Sequence, residues 1–172
     1  MKSITAVAEQ ADFILAQCAA LIDCVPAGAF ARESQRVRGG TIGKHVRHTL
    51  DHYRALLEGF DAATTVDYDH RERNVPIESD QDAAKQAVAL IRSRIGNLDE
   101  KALRREIRIC VMLAGDGAET ELDSTLGREL AFASHHAIHH NALIKAIALE
   151  FGVATPPEFG MAPSTLNFQG QA

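Results

Sequence analysis

The chain has 172 residues, a formal net charge of −5 and 46% hydrophobic residues, which suits a single globular domain with its own core. The acidic balance disfavours a nucleic-acid partner, and no apolar run approaches the roughly 18 residues of a membrane-spanning helix. We therefore expect no nucleic-acid partner and no membrane partner. The N-terminal residues lack the pattern of a signal peptide, and the cysteines lack a CxxC spacing, so a cytoplasmic location is expected. The cysteines are Cys18, Cys24 and Cys110.

Four segments repeat apolar residues at the spacing of an amphipathic helix. Thr41 and Ser79 are candidate N-caps of the second and third segments, and Asp123-Ser124 is a candidate cap of the last. Proline or glycine follows the first and third segments, where a helix would stop. The predicted helices span about 3–24, 41–60, 80–95 and 123–151.

A different pattern separates the third and fourth helices. Apolar residues alternate with other residues from Ile107 to Leu113, which is the period of a β-strand. Gly115-Asp116-Gly117 then predicts a turn, and residues 119–122 a second short strand. The sequence therefore predicts an all-α fold, a four-helix bundle with a small β-hairpin insertion before the last helix. The bundle would occupy residues 1–155, followed by an irregular C-terminal tail over 156–172.

Histidines are concentrated in two of the predicted helices. Residues four apart lie on one face of a helix, so two such imidazoles can chelate one metal ion. On the last helix, His136 and His140 share the apolar stripe, whereas His135 and His139 lie on its flank. The seven clustered histidines are His45, His48, His52, His135, His136, His139 and His140.

The third ligand is expected from the second helix, where the pattern mildly favours His45 or His52 and does not decide. Three protein ligands would leave a position open for water or substrate, as in catalytic sites. Asp51, His52 and Glu129 are candidates for supporting the ligands by hydrogen bonds. Ala137 excludes the HExxH motif of zinc proteases, because the catalytic glutamate is missing.

The loop over 69–73 contains Arg71 and Arg73. It is most simply a solvated loop. The alternative is that its arginines bind an anionic substrate at the mouth of the cleft.

The segments 47–52 (RHTLDH) and 136–142 (HAIHHNA) resemble the DinB/YfiT-like family of metalloenzymes. This resemblance implies an up-down-down-up bundle, a homodimer and a metal held by His48, His136 and His140. It places His48 ahead of the two alternatives that the helical pattern favours. Zinc or nickel is expected first, with iron as the next candidate.

The same resemblance implies a thiol-dependent transferase or a hydrolase that acts on a small-molecule substrate. A low-molecular-weight thiol would be a second cofactor. The alternative is a non-catalytic interaction or stress protein whose metal is structural or incidental.

Overall fold

The computed structural model describes residues 2–171. Within this range the chain forms seven α-helices, three β-strands and one 3-10 turn. In chain order these are α1 (Ala6–Cys24), α2 (Ala27–Phe30), α3 (Ile42–Ala62), β1 (Val66–Asp67), the 3-10 turn (Pro76–Glu78), α4 (Gln81–Gly96), α5 (Glu100–Leu103), β2 (Glu106–Met112), β3 (Glu119–Thr125), α6 (Leu126–Glu150) and α7 (Pro163–Gln169).

The four long helices enclose the core. Helix α1 packs against α4 and α6, and α3 packs against the same two helices. Each helix turns one apolar face inward, as its 3.6-residue pattern predicts. Fully or nearly fully buried residues of this core include Ile14, Leu15, Leu50, Ile91 and Ile144.

Side-chain caps fix where three of these helices begin. The hydroxyl of Thr41 accepts a hydrogen bond from the Lys44 amide, as predicted. Asp80, rather than the predicted Ser79, caps α4. Thr125 caps α6, because strand β3 runs through the predicted cap at residues 123–124.

A mixed three-stranded sheet overturns the prediction of an all-α four-helix bundle. The hairpin of β2 and β3 lies where alternation predicted it, with Ile109 opposite Leu122. The short strand β1 adds to it in parallel, with Val66 opposite Ile109. The prediction missed β1 because two residues are too few to show a period. The bundle with a simple hairpin insertion is therefore wrong as a description of the fold.

The tail is more ordered than predicted. Helix α7 lies inside the segment expected to be irregular, and Phe159 is completely buried. Gly160 has φ of 74°, and a Cβ there would lie 2.6 Å from the amide nitrogen of Ala142. The tail is thus docked against α6, and the division at residue 155 stays a prediction. No helix in the described range is long and apolar enough to cross a membrane.

Candidate metal centre

Helices α3 and α6 bring their histidines together by packing in opposite directions. His45 lies against His140, while His52 lies against His136, four residues earlier on α6. One residue further along α3, Tyr53 donates a hydrogen bond to Ser134. The histidine-bearing turns of the two helices are therefore adjacent.

His48, His136 and His140 form the tightest group. Each offers one ring nitrogen, and these nitrogens all lie within 4.8 Å of one another. Nε2 of His48 is 2.9 Å from Nε2 of His136. All three side chains are half-buried, so the cluster is reachable from solvent. Within residues 2–171 this is the group of histidine, cysteine and carboxylate side chains with the spacing of a metal site.

The donor set fits a first-row divalent metal. Zinc–imidazole bonds of about 2.0–2.1 Å place two nitrogens of a tetrahedral site roughly 3.3 Å apart. The 2.9 Å separation of His48 and His136 is shorter, so the two rings would move apart by about half an ångström. Imidazole ligands accept zinc, nickel, iron and copper, so geometry does not choose among them.

Burial keeps these imidazoles neutral. Burial, with the nearby charge of Arg71 as the next cause, lowers the pKa of His48 to about 2. Burial also lowers the pKa of His140 to about 3 and that of His136 to about 4, each helped by neighbouring histidines. Neutral rings carry the lone pairs that a metal needs, so the cluster is prepared to coordinate at neutral pH.

The two alternative ligands of α3 flank the cluster instead of joining it. Nδ1 of His45 lies 3.0 Å from Nδ1 of His140. Nδ1 of buried His52 donates to the backbone carbonyl of His48, and its ring stacks on Tyr68 with centroids 5.4 Å apart. Burial lowers the pKa of both rings. Both are placed to hold a ligand ring in position.

The hydrogen bonds of Asp51 and Glu129 go to partners other than the imidazoles. Asp51 is buried and accepts hydrogen bonds from Arg47 (2.7 Å) and Arg54 (2.9 Å). Glu129 is completely buried and accepts from Tyr68, Ser124 and Arg128. Neither hydrogen-bonds a histidine, and a supporting role for either carboxylate stays a prediction. Glu129 contacts Tyr68, which stacks on His52, and Arg128, which lies over the ring of Phe132 beside His136.

His135 and His139 lie outside the cluster. Both are exposed on α6, although the His139 ring is 5.3 Å from that of His140. Their flanking position follows from the helical pattern, which turns them away from α3.

Arg71 is the neighbour that sequence reasoning ranked too low. Its Nη1 donates to Nδ1 of His48 over 2.7 Å, so it belongs to the site and is not part of a solvated loop. No periodic signal could locate it, because it comes from the irregular chain between β1 and the 3-10 turn.

Two cavities flank the site. One of about 530 Å³ is lined by Arg71, Asp51 and Arg54 among others. A second of about 330 Å³ lies behind Tyr68 and Phe132, whose rings stack on His52 and His136 respectively. The larger cavity therefore gives a small ligand access to Arg71.

The fold and the site together define a class: a mainly helical protein with a small mixed sheet and a half-buried three-histidine cluster between two helices. No family model matches the chain, and no solved structure matches it. Among curated proteins it is similar to FK506-binding protein 5 of Rhizopus delemar, with 38% identity over 117 residues. The match covers 67% of this chain but only 30% of the length of that relative.

This comparison overturns the resemblance to the DinB/YfiT-like family. The relative is named as an FK506-binding protein, and no family model supports the resemblance. The resemblance was carried by two segments of six and seven residues, which are too short to define a family. The thiol-dependent transferase or hydrolase of that type, and its interaction-protein alternative, are withdrawn with it.

Proposed function

We propose that this protein binds one divalent transition-metal ion through His48, His136 and His140 and keeps one coordination position open to a small ligand. The observation that carries the proposal is the approach of three ring nitrogens, from two helices, to within 4.8 Å of one another. Three protein ligands leave a four-coordinate ion with one further position. A bound ion would supply Lewis acidity at that position.

The packing of the two helices supports the proposal. His136 and His140 are one turn apart on α6, so the backbone itself sets their spacing. His48 approaches from α3, whose neighbouring residues Val46 and Leu50 are buried in the core. The packing of α3 on α6 therefore brings the proposed ligands close together without a metal, which lowers the cost of assembling the site.

Zinc and nickel remain the first candidates, with iron next, because imidazole-only sites accept each of them. The low-molecular-weight thiol, the small-molecule substrate and the homodimer stay predictions.

The test is elemental analysis of purified, untagged wild type beside His136→Ala and His135→Ala. We expect about one metal per chain in the wild type and in His135→Ala, and loss of the metal in His136→Ala. His135 is the matched control, since it is the preceding residue of the same helix and is exposed. Circular dichroism checks that each variant is folded. A folded wild type that takes up neither zinc nor nickel on dialysis would overturn the proposal.

The name of the curated relative favours a second candidate function, binding of FK506. The specific observation is 38% identity over 117 residues. Because the chain matches less than a third of that protein, the region of the relative that binds FK506 need not be the shared one. Calorimetric titration with FK506 decides: saturable binding supports this candidate, and no heat up to the solubility limit excludes it for this chain.

A further inference from the structure

Arg71 is a half-buried cation with no acidic partner at the edge of the histidine cluster. Among residues 2–171 it takes part in no ion pair, and its hydrogen bond goes to Nδ1 of His48. The nearby carboxylate of Asp51 is already held by two other guanidinium groups, Arg47 and Arg54. A guanidinium in this position lacks the planar two-oxygen partner that it binds best.

The hydrogen bond from Arg71 also fixes the proton of His48. Arginine has only donors, so Nδ1 of His48 must accept, and a neutral His48 then carries its proton on Nε2. That proton points to His136, whose Nε2 is 2.9 Å away. To coordinate through Nε2, His48 must move the proton to Nδ1, which can then no longer accept from Arg71.

Coordination through the other nitrogen leads to the same conflict. Nδ1 of His48 is the atom that Arg71 contacts, so a metal ion there would take the place of the guanidinium. Either way, the metal and Arg71 compete for His48. Binding of a metal therefore requires Arg71 to leave this hydrogen bond and to find another acceptor.

We propose that this acceptor is the carboxylate of a small ligand. The carboxylate and the metal ion then bind cooperatively, because the binding of either one breaks the hydrogen bond between Arg71 and His48. The inference rests on the proposed metal site and names the chemical class of its ligand. Thermodynamic linkage makes the coupling reciprocal, so the ligand tightens metal binding by the factor by which the metal tightens ligand binding.

The surroundings of Arg71 favour a monoanion over a dianion. The cavity of about 530 Å³ that Arg71 lines is also lined by the acidic residues Glu58, Asp67 and Glu72, and by Asp51, whose charge is offset by Arg47 and Arg54. These charges repel a dianionic sulfate or phosphate more than a carboxylate. The volume lies within the range of small-molecule sites, so the body of a carboxylic acid has room beside its charged end.

The experiment measures Co²⁺ affinity by the visible absorption of the bound ion, in acetate, sulfate or chloride at equal ionic strength. Arg71→Met removes the guanidinium and keeps a flexible side chain. Arg73→Met is the matched control, because it removes one positive charge from the exposed part of the same loop. Circular dichroism verifies that both variants fold.

We expect acetate to raise the Co²⁺ affinity of the wild type by at least about fivefold over chloride, the lower end of ordinary coupling between sites. In Arg71→Met the affinity in chloride should exceed that of the wild type and should not respond to acetate. Arg73→Met should keep the response.

Four results would count against these ideas, and they separate the role of Arg71, the carboxylate class and the metal site. Cobalt uptake by the wild type that acetate leaves unchanged, or an acetate response that survives in Arg71→Met, would overturn the role of Arg71. A stronger effect of sulfate than of acetate would overturn the carboxylate class. Absence of cobalt binding in the wild type and both variants would overturn the proposed metal site itself.

Discussion

His45 acts on the candidate metal centre through a single ring-to-ring contact. Its Nδ1 lies 3.0 Å from Nδ1 of His140, and its own Nε2 is buried with no hydrogen-bond partner. If His140 coordinates through Nε2, its proton sits on Nδ1 and donates to Nδ1 of His45. Partners of this kind fix both the tautomer and the orientation of a ligand ring.

We therefore expect His45→Ala to weaken metal binding by about 10- to 100-fold without abolishing it, as for other residues that support a ligand. His45→Asn, whose amide oxygen can accept the same proton, should recover part of the loss. Competition with a chromophoric zinc chelator measures these affinities. The control is His139→Ala, which removes an exposed imidazole near His140. Equal affinities for His45→Ala and His139→Ala would show that His45 has no special role.

Replacing Asp51 tests whether its carboxylate stabilises the fold or supports the metal ligands. Its side chain is 2% exposed and bridges Arg47 and Arg54 on the same helix. Removing one partner of a buried ion pair leaves the other charge uncompensated, which costs about 3–5 kcal/mol. We expect Asp51→Ala to destabilise the protein by about 3 kcal/mol or less in urea denaturation, because Arg54 is partly exposed and Arg47 keeps its ion pair with Glu78. The metal affinity of the folded variant should stay near that of the wild type, and a large loss would restore the predicted supporting role.

At the scale of elements, α3 lies unusually close to the 3-10 turn because Gly43 has no side chain. A Cβ at that position would collide with the backbone carbonyl of Glu78 and approach the ring of Phe30. Backbone cannot rotate out of the way as a flexible side chain can. The start of α3, which leads into His45 and His48, is therefore positioned by this glycine.

Gly43→Ala should destabilise the protein by roughly 2 kcal/mol or more, because the helix must shift away from the turn. Gly96→Ala is the matched control: a Cβ there meets nothing within 4 Å, and alanine favours helix by up to about 1 kcal/mol. Urea denaturation of both variants gives the two changes in unfolding free energy. Equal stability of both variants would mean that α3 can slide on the turn without cost.

At the scale of the whole molecule, the long helices were predictable because each must bury one face, and burial leaves a 3.6-residue record in the sequence. The strand β1 left no such record, being two residues long and paired with a partner over forty residues away. His48 shows a subtler limit. The helical pattern favoured His45 or His52 over it, yet His48 lies closest to His136 and His140, because the packing of α3 on α6 decides which histidines meet. The position of Arg71 at the site is set by tertiary structure alone, so no sequence pattern indicates it.

The histidine cluster should also make the stability of the metal-free protein depend on pH. Above about pH 6.5 the rings are neutral in both the folded and the unfolded chain, so they add no pH dependence. Below that value the histidines of the unfolded chain become protonated, whereas those of the folded cluster stay neutral. The reason is that burial lowers the pKa of His136 to about 4 and that of His140 to about 3. The free energy of unfolding should therefore fall steadily from pH 6.5 toward these values.

Urea denaturation at pH 7.5, 6.0 and 5.0 in the presence of a chelator tests this expectation. Exposed His70 works in the opposite direction, since Asp67 and Glu119 raise its pKa, so its contribution is lost as the pH rises through that raised value. Asp12, Asp67 and Glu150 have lowered pKa values and matter only at more acidic pH. His48→Asn should weaken the pH dependence of the unfolding free energy, because it removes one histidine that is protonated only in the unfolded chain. His70→Asn should strengthen that dependence. A wild type equally stable at pH 7.5 and 5.0 would mean that the folded cluster accepts protons, and hence that its rings are far better hydrated than their burial between α3 and α6 implies.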